Sequence, residues 1–137
     1  MKPDECIFFQ MAKAYQSAIR FWGRQVEPLK VTASQAMVLN FLFEEDHLTL
    51  NRLGARTGLD SATLTGMMDR LASAGLLERK PNPHDRRAIL ICLTRKGRLL
   101  AGKLRKTAAA ANRAFLKRLS RQEAHALRAL LQKMRTA

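Results

Sequence analysis

Residues 50–97 read LNRLGARTGLDSATLTGMMDRLASAGLLERKPNPHDRRAILICLTRKG, and this stretch decides the fold. Its first eight residues make a short helical run that Gly58 stops. Asp60 or Ser61 can cap a second helix, expected to reach residue 74, with Leu64, Met67, Met68 and Leu71 on its apolar face. Gly75 then supplies the left-handed conformation that ends it. Two strand-like runs follow, over 76–80 and 88–93. They flank Pro81-Asn82-Pro83-His84-Asp85-Arg86-Arg87, expected as a turn-rich basic loop at the tip of a hairpin.

Working outward, residues 4–24 are expected as one helix. Phe8, Met11, Tyr15, Ala18 and Trp22 recur at spacings of three and four, and Ile7, Ala14 and Phe21 widen that apolar stripe. So wide a face on a terminal helix implies packing against more than its own domain. Glu27-Pro28-Leu29-Lys30 breaks the pattern. Thr32-Ala33-Ser34-Gln35 reads as a capping box opening a helix over 33–44, with Ala36, Val38, Leu39, Leu42 and Phe43 as its buried side. Downstream, Thr94 caps a long helix expected over 95–119, with the inner stripe Leu100, Leu104, Ala108, Ala111 and Phe115. Ser120-Arg121-Gln122-Glu123 is a second capping box, opening a last helix with Ala124, Leu127, Leu131 and Met134 on one side. The expected class is mainly α with a small β-hairpin wing, one domain in 137 residues.

Charge narrows the function. Lys and Arg number 25 against 11 Asp and Glu, a net +14. Residues 1–50 carry a net −1 and residues 51–137 a net +15; the run 79–106 holds ten basic residues against Asp85 alone. Such an imbalance calls for a polyanion. The longest apolar runs are far too short to span a bilayer, so no membrane partner is expected. Met1-Lys2-Pro3-Asp4-Glu5 has neither the basic nor the apolar region of a signal peptide. Two cysteines without a C-x-x-C pair suit a reducing compartment, and the expected location is the cytoplasm.

Two short helices, a tight turn and a hairpin with a basic tip describe a winged helix-turn-helix. The second helix must present small polar groups to base edges in a major groove; Ser61, Thr63 and Thr65 meet that demand. The wing must offer long cations to the minor groove and its flanking backbone. Arg86 and Arg87 supply them, beside His84 in the same loop.

The sequence resembles the MarR (multiple antibiotic resistance regulator) family of bacterial transcription factors. The residues that carry the likeness are Leu50-Asn51-Arg52-Leu53-Gly54, then Leu64-Thr65-Gly66-Met67-Met68-Asp69-Arg70-Leu71, then Gly75-Leu76-Leu77-Glu78-Arg79. The fourth piece is Asp85-Arg86-Arg87-Ala88 through Leu93-Thr94-Arg95-Lys96-Gly97, the family's wing signature and helix start. The resemblance spans nearly the whole chain. It implies a homodimer, built by helices within 4–31 and 95–137 around a lobe over 32–94. It implies a double-stranded pseudo-palindromic operator as partner and repression relieved by a small ligand or by oxidation. Arg87 matches the wing arginine that enters the minor groove, Asp85 the acidic residue that orients it, and Arg70 a position near phosphate. Asp85 has a second reading as a turn residue satisfying its own loop, and Arg70 a second reading as an ion-pair partner of Asp69 or Glu78.

Two further implications concern regulation. Some relatives sense peroxides through a cysteine on the first helix, which makes Cys6 a candidate; Asp4 and Glu5 oppose its thiolate while the helix start favours it. The family's ligand cavity lies where the dimer helices meet the lobe. Phe8, Met11, Tyr15, Phe21 and Trp22 are candidates to line it around a small aromatic effector, or else to form dimer core. No catalytic residue, cofactor or metal site is expected: His47, His84 and His125 are scattered, and no phosphate-cradling loop or acid–base pair appears. The competing class is a basic helical module binding RNA or protein without operator specificity. Aromatics are 6% of the chain and cluster in the first two helices, which leaves no base-stacking platform.

Overall fold

Side-chain caps open five α-helices in the computed structural model, which describes residues 1–136. Thr32 Oγ1 accepts the Gln35 amide at 3.2 Å while Gln35 Oε1 accepts the Thr32 amide at 3.0 Å, and α2 (Ala33–Glu44) starts from that box. Ahead of it, α1 spans Ile7–Val26. The expected start at residue 4 is corrected: Pro3–Glu5 is a separate 3-10 turn, and extended Cys6 (ψ 121°) breaks it from α1. The helix also continues to Val26, which is fully buried. A 3-10 turn at Glu27–Leu29 then closes on Lys30 in the left-handed region (φ 60°).

The winged lobe follows. Thr49 Oγ1 accepts the Arg52 amide at the start of α3 (Leu50–Thr57), and Gly58 at φ 74° ends it. Asp60, rather than Ser61, caps α4 (Ser61–Ser73). The hairpin pairs β2 (Leu77–Asn82) with β3 (Asp85–Leu93), Leu77 opposite Leu93 and Pro81 opposite Ile89. The basic loop expected over 81–87 is therefore mostly strand, with residues 83 and 84 left as the turn. Pro81 is tolerated because β2 lies at a sheet edge, where a missing N–H breaks no inner ladder. A third strand, β1 (Leu48–Thr49), pairs with β3 on its other side, Leu48 opposite Ile91. Two residues are too few to show a period, so the sequence carries no sign of it.

Thr94 opens α5 (Arg95–Phe115), its Oγ1 accepting the Gly97 amide at 3.0 Å. The helix ends four residues before the expected 119. Ser120 must be extended (ψ 165°) to cap α6 (Arg121–Met134), and the chain unwinds through 116–119 to reach that conformation. Of the expected α5 stripe, Leu104 and Ala111 are buried, Leu100 and Ala108 half-buried, and Phe115 exposed beside the Phe21 ring at 5.2 Å. Gly97 and Ala101, outside that stripe, are buried as well.

One apolar core joins α2, α3, α4, the sheet and α5, with Leu39, Leu42, Leu53, Leu64, Leu71 and Leu104 almost wholly enclosed. Two elements stand outside it. Helix α6 buries no residue, leaving Leu127, Leu130, Leu131 and Met134 exposed, and the first half of α1 leaves Ile7, Phe8, Phe9 and Met11 exposed. No helix among the described residues is long and apolar enough to cross a membrane.

Candidate nucleic-acid interface

Helix α4 carries the polar side chains singled out by the sequence, and all of them are exposed. The Asp60 carboxylate holds the helix start through Thr63, accepting its amide and its hydroxyl at 2.8 Å each. Those two bonds hold the Asp60 carboxyl below its ordinary pKa. Thr65 donates its hydroxyl to the Ser61 carbonyl at 2.8 Å, which leaves its oxygen as an outward acceptor. Arg70 reaches back along the helix to Gly66, where a Cβ would lie 3.8 Å from its guanidinium, an ordinary contact. Neither suggested partner takes it: Asp69 binds Arg79 at 2.5 Å and Glu78 binds Lys80 at 3.2 Å. Arg70 thus has no ion-pair partner among the described residues.

The wing is ordered by two side chains that act on its own backbone. Asn82 Oδ1 accepts the His84 amide and Asp85 Oδ1 accepts the Arg87 amide, both at 3.0 Å. Asp85 therefore fixes Arg87 through its main chain; no ion pair joins the two side chains among the described residues. Strand alternation then separates the arginines. Arg87 lies on the face that, with Ile89 and Ile91, lines a groove of about 510 Å³ against Thr65 and Met68 of α4, whereas Arg86 lies outside that lining. Asn51 and Arg79 line the same groove; the sequence names both within the family likeness but gives neither a site role. Asn51 sits in the first turn of α3, which the Thr49 cap opens.

A second cavity, about 630 Å³, opens between α1, α2, the α3–α4 link and α5. Of the five candidate lining residues, Tyr15 and Trp22 border it. Phe21 borders a smaller recess with Trp22 and Phe115. Phe8, 79% exposed, and Met11 border neither, because both lie on the half of α1 that projects beyond the core. Asn40, Phe41 and Glu44 of α2 supply wall that periodicity assigned to no site.

Cys6 is half-buried at the start of α1; Cys92 is buried, and burial pushes its thiol up in pKa. His84 and His125 are exposed and apart, as their spacing implied, but His47 is not isolated. It meets Asp46 and Cys92, with ligand-type atoms within 4.8 Å of one another. That grouping already has a structural use. Asp46 Oδ1 accepts the Leu93 amide at 3.0 Å and the His47 amide at 2.8 Å, and Oδ2 accepts from Arg98 at 2.5 Å. The carboxylate clamps the α2–β1 turn to the end of β3 and the start of α5.

A family model described as MarR family matches residues 29–88. The chain is 33% identical over 103 residues to the organic hydroperoxide resistance transcriptional regulator of Bacillus subtilis, covering 75% of this chain and 70% of that protein. Alignments to two further regulators span 51% and 57% of those proteins' lengths. Among solved structures, Bordetella bronchiseptica BpsR, whose DNA binding is regulated by 6-hydroxynicotinic acid, superposes with a TM-score of 0.93 at 29% identity, over 100% of this chain and 98% of that one. A single-site mutant of Escherichia coli MarR complexed with operator DNA superposes with a TM-score of 0.87 at 30% identity, over 96% of each chain. The winged fold, the exposed polar helix and the basic wing agree with these likenesses, and the chain belongs to the MarR family of DNA-binding transcriptional regulators, not to an enzyme class.

Proposed function

We propose that the protein is a homodimeric repressor that binds a pseudo-palindromic operator and leaves it when a small aromatic effector binds. In this reading α4 enters the major groove with Ser61, Thr63 and Thr65 toward base edges and Arg70 toward phosphate. Arg87 reaches the minor groove, and His84 and Arg86 meet the flanking backbone. One observation carries it: the 510 Å³ groove that brings Thr65 and Arg87 to a common opening, so one duplex can engage helix and wing together. The dimer part rests on the apolar side chains that α1 and α6 leave exposed, since contiguous wet apolar faces of this kind mark association surfaces. The cavity between α1, α2 and α5 is the effector site.

Gel shift with the protein's own upstream promoter, set against unrelated duplex and against RNA, tests the reading. Retardation of the promoter at concentrations that leave the other two free is the expected result. Equal retardation of all three supports the non-specific basic module instead. Sedimentation at micromolar concentration is expected to give a dimer mass; a monomer mass defeats the dimer.

A further inference from the structure

A hollow of about 460 Å³ plays no part in the operator and effector readings. It lies between the α1–α2 link at residues 29–31, the end of α4 and the first half of α5. Lys96, Leu99, Leu100 and Lys103 line it at spacings of three and four, so α5 turns one continuous face to it. Leu29, Val31, Ala74 and Leu76 complete an aliphatic wall that contains no aromatic ring. Leu99 is 65% exposed there, the most exposed leucine among the described residues, so nothing within the chain covers this wall. No residue of α1 or α6, the helices assigned to the dimer, lines it.

Charge sets the hollow apart. Lys30, Lys96 and Lys103 border it and no Asp or Glu does, whereas Asp85 borders the operator groove and Glu44 the effector cavity. Lys96 Nζ donates to the Ala74 carbonyl at 3.0 Å, which ties it to the end of α4 and leaves two of its three protons. Lys30 and Lys103 have no ion-pair partner among the described residues. An aliphatic wall bordered by such cations matches an amphiphilic anion. The hydrocarbon gains by leaving water against the leucines, and the charged end can stay hydrated at the mouth, within reach of flexible lysine stems. An aromatic body would find no ring to stack on, and a duplex that reached the lysines would leave the leucines wet. We propose that this hollow is a binding site for a medium-chain aliphatic carboxylate.

Octanoate and 1-octanol share a chain and differ in charge, and both are titrated into the full chain carrying labelled Leu, Val and Ala methyl groups. Octanoate is expected to shift the Leu29, Leu99 and Leu100 resonances saturably, at least about tenfold more tightly than octanol. Lys30→Met combined with Lys103→Met removes two charges but keeps unbranched stems at exposed positions, so folding is safe. This double variant should bind octanoate about tenfold more weakly and octanol as before, a split that altered shape alone does not produce. Leu99→Ala, which keeps every charge, should instead weaken both ligands by a similar factor. Octanol binding as tight as octanoate, or octanoate affinity unchanged in both variants, overturns the proposal. So do the absence of saturable octanoate shifts and shifts confined to Leu59 and Ala108 in the effector cavity.

Discussion

Arg87 is the residue on which operator affinity should depend most. A wing arginine gains from the focused negative potential of a narrow minor groove, so Arg87→Ala is expected to cost about 1–3 kcal/mol of operator binding by fluorescence anisotropy. Its melting temperature should hardly move, because an exposed side chain of this kind contributes little to packing. Arg86→Ala should cost less, since strand alternation turns it from the groove that Arg87 lines. Asp85 provides the sharper test. Charge alone makes Asp85→Ala bind DNA more tightly, but the carboxylate holds the Arg87 amide at 3.0 Å, and its loss frees the wing backbone. Weaker binding is therefore expected, with the double variant losing less than the sum of the singles. Tighter binding by Asp85→Ala defeats the positioning role.

Among the elements, the join between the hairpin and α5 tolerates least change. A Cβ on Gly97 would lie 1.9 Å from the Leu76 carbonyl oxygen, and both sides of that clash are backbone. The same join is tied by the Thr94 hydroxyl donating to the Gly75 carbonyl at 2.6 Å and the Thr94 amide to the Leu76 carbonyl at 3.1 Å. Gly97→Ala is expected to destabilise the fold by on the order of 3 kcal/mol, seen as a lower urea midpoint. Helix α4 carries a pH-dependent support in Asp60. The two Thr63 bonds hold its folded-state pKa below the ordinary carboxylate range, so it stabilises the fold at pH above that range, and the support is lost as pH falls through the lowered pKa. Asp60→Asn should flatten this acid limb in denaturant titrations at successive pH values; an unchanged limb removes Asp60 from the account. These local supports were legible in the sequence as a cap and a glycine. That Gly97 touches Leu76 was not, because no pattern within one helix reports what lies against it.

For the whole molecule, the division of charge governs behaviour. The excess of 25 basic over 11 acidic residues falls entirely after residue 50, in the lobe and the helices that follow it. If each subunit neutralises about four phosphates, the logarithm of operator affinity against that of salt concentration should have a slope of roughly −7 for a dimer. A slope near zero means that the basic lobe does not face the DNA backbone. The two apolar surfaces on α1 and α6 come from opposite ends of the chain, and a dimer that buries both would set the distance between two copies of α4. Half-site spacing thus becomes a property of helices that touch no base.

By itself the sequence determined the features whose causes lie within a few residues. The Thr32–Gln35 and Ser120–Glu123 boxes, the Thr94 cap, the stops at Gly58 and Gly75, and the apolar face of α4 were all readable, because each rests on bonds or spacings of three to four residues. Only tertiary structure decided the rest. Strand β1 exists because β3 offers it an edge, and the Asp46 clamp joins groups 47 and 52 residues apart. The cavity wall combines Tyr15, Asn40, Glu44 and Asn112 from three helices. Such features arise from packing between distant segments, where shape and burial outweigh local propensity and leave no periodic trace in the chain.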